Sequence, residues 1–174
     1  MNSTSSDTYT LYPDESHEPQ RFDDYTSYRI AFTATLSLAS HSLLLCERNF
    51  SESPLGSVAV EQLLTAFLTR PGKPQLQLLC FEGDYLASQC PRFLRLYQSF
   101  GHCMALFLVN EDARTQWDKG FIVADRQHYL QRHHFDWPRG ETGTNPQTIM
   151  GLEQAFQQLR AISGPSLGWQ RLEI

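Results

Sequence analysis

The sequence predicts an α/β domain, with a mixed and mainly parallel sheet covered by helices on both faces. Short apolar runs of strand length alternate with segments whose apolar residues recur at helical spacing. Strands separated by helices imply parallel pairing and a sheet buried on both sides. The chain has 174 residues, of which 41% are apolar and 12% aromatic, enough for one domain with a proper core.

Residues 1–24 read as a flexible acidic tail, and 25–174 as the single domain. The tail carries Asp7, Asp14, Glu15, Glu18, Asp23 and Asp24 against Arg21 alone, and so holds the whole net charge of −5. Tyr9, Leu11 and Tyr12 are either a short partner-binding motif or part of a solvating extension.

Tyr25 to Ser40 is weakly helical, with Ile30, Ala31, Ala34, Leu38 and Ala39 able to share a face. Leu43 to Cys46 is a buried strand. After Ser53 and Pro54, Val60, Leu63, Leu64, Phe67 and Leu68 form one helical stripe, and Pro71-Gly72-Lys73-Pro74 stops it. Leu76 to Phe81 is the next strand.

Pro91 suits a helix first turn, Phe93, Leu94, Tyr97 and Phe100 give that helix its buried face, and Gly101 ends it. Met104 to Val109, Phe121 to Ala124 and Tyr129-Leu130 are strands, with a tight connection at Asp125 to Gln127. Asn145 caps the last helix and Pro146 takes its first position. Ile149, Leu152, Phe156, Leu159 and Ile162 form its stripe, and Gly164-Pro165 closes it. No internal repeat or low-complexity block interrupts this order.

Composition narrows the function classes. No apolar run approaches the roughly 20 residues a membrane span needs, and the first residues lack a signal pattern, so the expectation is a cytoplasmic protein. Cys46, Cys80, Cys90 and Cys103 contain no CxxC pair and read as reduced core residues. Outside the tail the body has 13 acids and 13 bases. A neutral body makes nucleic acid an improbable partner unless a local patch supplies the field.

The element order, together with Leu43 to Arg48, Leu76 to Cys80, Gly101-His102, Gly120 to Asp125, Tyr129-Leu130 and Arg139 to Thr142, resembles one half of the phospholipase D-type fold. The closer resemblance is to an uncharacterised bacterial PLD-like domain family, sometimes appended to GNAT-type acetyltransferases. It spans roughly residues 28–162.

Active phospholipase D relatives use His, one residue, Lys, four residues, then Asp. The His attacks phosphorus, the Lys neutralises phosphate oxygens and the Asp orients a His. Aligning Asp125 with the motif Asp puts Asp118 at the His and Gly120 at the Lys. The alternative register uses Lys119, but then Trp117 stands at the His and Ala124 at the Asp. The first register keeps Phe121-Ile122-Val123 in step with the family, and neither supplies the nucleophile. A carboxylate at 118 would also repel a phosphate.

The resemblance therefore implies a catalytically inactive PLD-like binding or regulatory module. It would act through a protein partner, a GNAT-type acetyltransferase among the options, or through an anionic small ligand. By analogy with single-motif relatives, a homodimer is a further option. No cofactor is implied, and the chain has no Gly-rich pyrophosphate loop for acetyl-CoA.

Candidate ligand-binding residues are Asp118, Asp125, His128, Arg132, His133, His134 and Arg139. Three readings stay open for the stretch from Asp125 to Arg139. It can bind an anion through Arg132, Arg139 and a His, hold a metal through His128, His133 or His134 with Asp125 or Asp136, or be a solvated loop. The metal reading defines the alternative function, a metal-assisted hydrolase built on His128 to Asp136.

Overall fold

The computed structural model describes residues 18–165 apart from Arg114. Tyr9, Leu11, Tyr12 and most of the acidic tail lie outside the described residues. The ordered elements begin earlier than residue 25. Strand β1 (Gln20–Phe22) lies in the sheet, and Asp24 caps helix α1 (Tyr25–Ser37) by accepting from the Ser27 backbone N–H at 2.7 Å.

The chain then runs β2 (Ser42–Glu47), α2 (Val58–Leu68), β3 (Gln75–Cys80), α3 (Asp84–Gln89), α4 (Pro91–Phe100) and β4 (Met104–Val109). After a loop come β5 (Phe121–Ala124), β6 (His128–Arg132), β7 (Gly140–Gly143), α5 (Pro146–Ala161) and β8 (Ser163–Pro165). Asn145 caps α5 through bonds to the N–H groups of Gln147 and Thr148, with Pro146 at the first helical position as expected. The chain past α5 does not simply stop at Gly164-Pro165; it adds the short edge strand β8.

The sheet is mixed, in the order β1-β7-β6-β5-β2-β3-β4-β8. Its parallel part is confined to β2, β3 and β4, and the other pairings are antiparallel. The antiparallel share exceeds what helix–strand alternation suggests, and the path explains why. After β4 the chain stays at the C-terminal end of the parallel strands, so β5 enters beside β2 from that end and runs back against it.

Helices cover both faces. Phe32, Leu45, Leu64, Leu78 and Phe93 belong to the core under α1, α2 and α4, while Val123, Phe121, Leu152 and Phe156 belong to the core under α5. All four cysteines are buried and none is in a disulfide, as read from the sequence. No helix among the described residues is long and apolar enough to cross a membrane.

The β5–β6 hairpin turns at Asp125 and Arg126, whose φ angles are 53° and 58°. Three residues, 125–127, connect the paired Ala124 and His128, and positive φ at the first two gives the turn the hand that matches strand twist. Asp125 also ties this turn to the start of β2. Its carboxylate accepts the backbone N–H groups of Ser40, His41 and Ser42 at 2.8, 2.7 and 2.9 Å.

Burial alone would raise the Asp125 pKa, but the bonds from Ser42, His41 and Ser40 outweigh it and hold the carboxyl below its ordinary 3.8. A lowered carboxyl pKa gives stability that is present above the unfolded value and lost as pH falls through the folded one. Asp125→Asn should therefore lower unfolding free energy at pH 7 by roughly 1–3 kcal/mol. The gap to the native chain should narrow below pH ~4. Urea unfolding at pH 7, 5 and 3 measures both.

Candidate functional site

The residues that the sequence reading aligns with the phospholipase motif, Asp118 and Gly120, lie where β5 is entered. Gly120 stands between two strands, next to Glu47 at the end of β2 and Arg132 at the end of β6. The Arg132 backbone N–H donates to the Gly120 carbonyl at 2.7 Å. Above this glycine the two neighbouring side chains meet. Arg132 Nη2 donates to Glu47 Oε1 at 2.6 Å, and Arg132 Nε to Oε2 at 3.1 Å, a bidentate pair.

The pair is enclosed, with Glu47 and Arg132 each 3% exposed. Tyr28 of α1 donates its hydroxyl to Glu47 Oε2 at 3.1 Å, and the guanidinium lies 5.0 Å from the Tyr28 ring centre. Arg132 Nη1 donates to the Trp137 carbonyl at 3.2 Å. Burial pushes the Tyr28 hydroxyl well above 10.0, and the Glu47 charge adds to it. A Cβ at position 120 would land on the Glu47 carboxylate. The glycine is what lets the pair close across β5.

This arrangement removes Arg132 from the candidate anion binders, because its guanidinium is buried and fully engaged inside the fold. It also fills the place that a motif lysine would need. Glu47 and Tyr28 were missed in the sequence. The available signal was a carboxylate ending an apolar strand run, since a buried charge requires a partner.

The other candidates separate into three places. Asp125 and His128 are at the opposite end of the hairpin from Asp118, with Asp125 serving the β2 turn. Asp118 and His134 line a small cavity of about 140 Å³ at the C-terminal ends of β2 and β3, with Arg48, Phe81 and Glu82. There His134 Nδ1 accepts the Asp136 backbone N–H at 3.0 Å, and its Nε2 lies 3.7 Å from Asp118. Arg48 donates to Asp136 at 2.6 Å and holds that carboxyl below its ordinary range. Among the described residues the small cavity is lined by the carboxylates of Glu82 and Asp118, and its arginine, Arg48, is paired with Asp136.

His133 and Arg139 point elsewhere. Past the end of β6 the two histidines part, His134 lining the small cavity and His133 the β1–β7 edge. The backbone bond from His133 N–H to the Arg139 carbonyl, 2.9 Å, closes the loop between β6 and β7. Together with Arg21, Phe22, Asp23 and Glu141 these residues line a second cavity of about 610 Å³. Glu141 Oε1 there accepts from Tyr129 Oη and Gln131 Nε2 at 2.9 and 3.1 Å. The Arg21, His133 and Arg139 side chains have no hydrogen-bond or ion-pair partner among the described residues. Arg21 was read as part of the tail, and only the pairing of β1 with β7 brings it here.

Of the residues expected to serve a metal, His134 and Asp136 lie together, with Nδ1 3.5 Å from a carboxylate oxygen, while His128, His133 and Asp125 lie elsewhere. Among the described residues no three of His, Cys, Asp and Glu come together as a ligand set.

The fold is a phospholipase D-like α/β fold. Solved structures agree. The chain is similar to Nuc of Salmonella typhimurium, a phospholipase D family member, with a TM-score of 0.59 and 10% identity, covering 84% of this chain and 97% of that one. It is similar to NucT of Helicobacter pylori at a TM-score of 0.60 and 9% identity, covering 85% and 98%. It also resembles TrmBL2, an archaeal chromatin protein with a novel mode of DNA binding, at a TM-score of 0.65 and 12% identity. That match covers 91% of this chain, which spans 56% of the chromatin protein's length. No curated protein matches the sequence. Within this class the chain belongs to the family described as a domain of unknown function, DUF7931, whose model matches residues 24–172.

The likeness to TrmBL2 corrects the expectation that nucleic acid is an improbable partner. A scaffold of this shape occurs in a DNA-binding protein, and net charge averages over faces that a ligand meets one at a time. A neutral body is no ground for excluding that class.

The buried pair makes a stability prediction. Arg132→Met should cost about 3–5 kcal/mol, because it strands the Glu47 carboxylate away from water. Glu47→Leu combined with Arg132→Met should restore most of the loss. Urea midpoints of the native, single and double variants measure the difference.

Proposed function

We propose that this chain is a catalytically silent phospholipase D-like module that binds an anionic, phosphate-bearing ligand at the β1–β7 edge. The observation that carries the reading is the cavity lined by Arg21, His133 and Arg139, whose side chains have no partner among the described residues. Two guanidiniums beside an imidazole offer forked donors suited to phosphate oxygens. Glu141 competes weakly for them, since its Oε1 is engaged by Tyr129 and Gln131.

The silent chemistry is supported by the motif region. Asp118 stands in place of the nucleophilic His, and the Glu47–Arg132 pair closes over Gly120 in place of the lysine. The pair there is closed on itself, so Arg132 offers no free cation to a phosphoryl group, whose charge any phosphodiesterase must stabilise. The anion site lies instead on the far side of the β6–β7 loop, so binding and the lost chemistry are separated in space. A nucleic-acid backbone is one member of this ligand class, and the likeness to a DNA-binding chromatin protein makes it the first to try.

Fluorescence anisotropy with a labelled 12-nucleotide single-stranded DNA, and calorimetry with inorganic pyrophosphate, test the site. Binding of at least one probe should weaken by tenfold or more in the Arg21→Gln, Arg139→Gln double variant, and should fall with added salt. Equal affinity in native and variant chains, or no binding of either probe, would remove the proposal. Separately, the native chain should leave a chromogenic phosphodiester intact. Turnover abolished by replacing Asp118 or His134 would overturn the silent reading.

A further inference from the structure

Helix α1 carries an apolar face that the rest of the described chain does not cover. Ile30 is 67% exposed and Leu38 52% exposed, although both are large and apolar. Between this face and the strands β1, β6 and β7 runs a groove of about 550 Å³, floored by Ile30, Ala31, Ala34 and Leu38 with Phe22 and Tyr129 along its wall. His128, Thr142 and Ser27 give it a polar rim. An open apolar groove with a few polar groups at its edge has the anatomy of a docking site.

The chain itself indicates the occupant. Glu18 and Gln20, among the first described residues, line this same groove, so residues 1–17 are tethered at its mouth. That segment has four large apolar or aromatic residues, and three of them cluster at Tyr9, Leu11 and Tyr12. Pro13 biases Tyr12 toward an extended backbone.

Reach also fits. The six residues from Glu18 back to Tyr12 span at most about 20 Å when extended. The groove along α1 from Ser27 to Leu38 is about 16 Å long at the helical rise. Tyr12 and Leu11 therefore reach the exposed Leu38, with the tyrosine hydroxyls available to the polar rim. Tethering makes the event intramolecular, so a modest apolar contact is enough to hold it.

We propose that Tyr9, Leu11 and Tyr12 dock in the groove beside α1, holding the acidic N-terminal segment along that helix. The inference rests on the exposed face and the tethered chain, and is independent of the anion cavity.

Cysteine trapping in the full chain tests it, since the native cysteines are buried and react slowly. In a Tyr12→Cys, Leu38→Cys chain, mild oxidation should give an intramolecular disulfide of monomer mass. Adding Tyr9→Ser and Leu11→Ser to that chain should slow its formation by at least tenfold. An unchanged rate would mean that tethering alone brings the cysteines together, and would overturn docking. Predominantly intermolecular disulfides would overturn it in favour of a second copy in the groove. A parallel hydrogen-exchange measurement on chains without added cysteines should show faster exchange over residues 28–38 in Tyr9→Ser, Leu11→Ser than in the native chain. Equal exchange would count against docking as well.

Discussion

Glu47 and Arg132 cannot be held out of water separately. Each is 3% exposed, and an unpaired charge at that depth would cost several kcal/mol. Their bidentate contact crosses β5 at its entry, so the ends of β2, β5 and β6 must keep one register for it to form. Tyr28 extends the contact to α1 through its hydroxyl and its ring. Three strands and a helix thus meet on one ion pair, and Gly120 is the residue whose missing side chain leaves room for it. At the glycine that the sequence reading aligns with the motif lysine, the fold holds a structural ion pair.

That pairing changes what the polar rim can be. In the sequence it reads as one cluster from Asp125 to Arg139, but the fold deals its members to different places. Asp125 fastens the start of β2, Arg132 turns inward, and His134 joins Asp118 and Asp136 in a small carboxylate-lined cavity. His133 and Arg139 alone reach the β1–β7 edge, where Arg21 meets them. Of the metal candidates His134 and Asp136 stay together, while His133 and Arg139 lie with Arg21 at the other cavity. The groove beside α1 shares Arg21 and Phe22 with that cavity, so the N-terminal strand borders both surfaces proposed to bind.

The strands and helices with strong apolar periodicity were legible. Leu43 to Cys46, Met104 to Val109, Phe121 to Ala124 and the stripe from Ile149 to Leu159 fall inside the observed elements, and the Asn145 cap is where its chemistry put it. The edges were not legible. β1, β7 and β8 are Gln-Arg-Phe, Gly-Glu-Thr-Gly and Ser-Gly-Pro, segments with almost no apolar pattern that become strands only because a neighbour offers backbone partners. α3 is too short to show a period. The pair across Gly120 was not legible, because Glu47 and Arg132 are 85 residues apart and only the sheet order joins them.

The direct measurement of this account is the cost of Gly120→Ala in two backgrounds, the native chain and the Glu47→Ala, Arg132→Met chain, by urea unfolding. If Gly120 exists to let the pair close, the two sites are coupled, and the alanine should cost at least about 1 kcal/mol more in the native chain than in the chain without the pair. An equal cost in both backgrounds would mean that the glycine serves some other need of the strand, and would contradict the account.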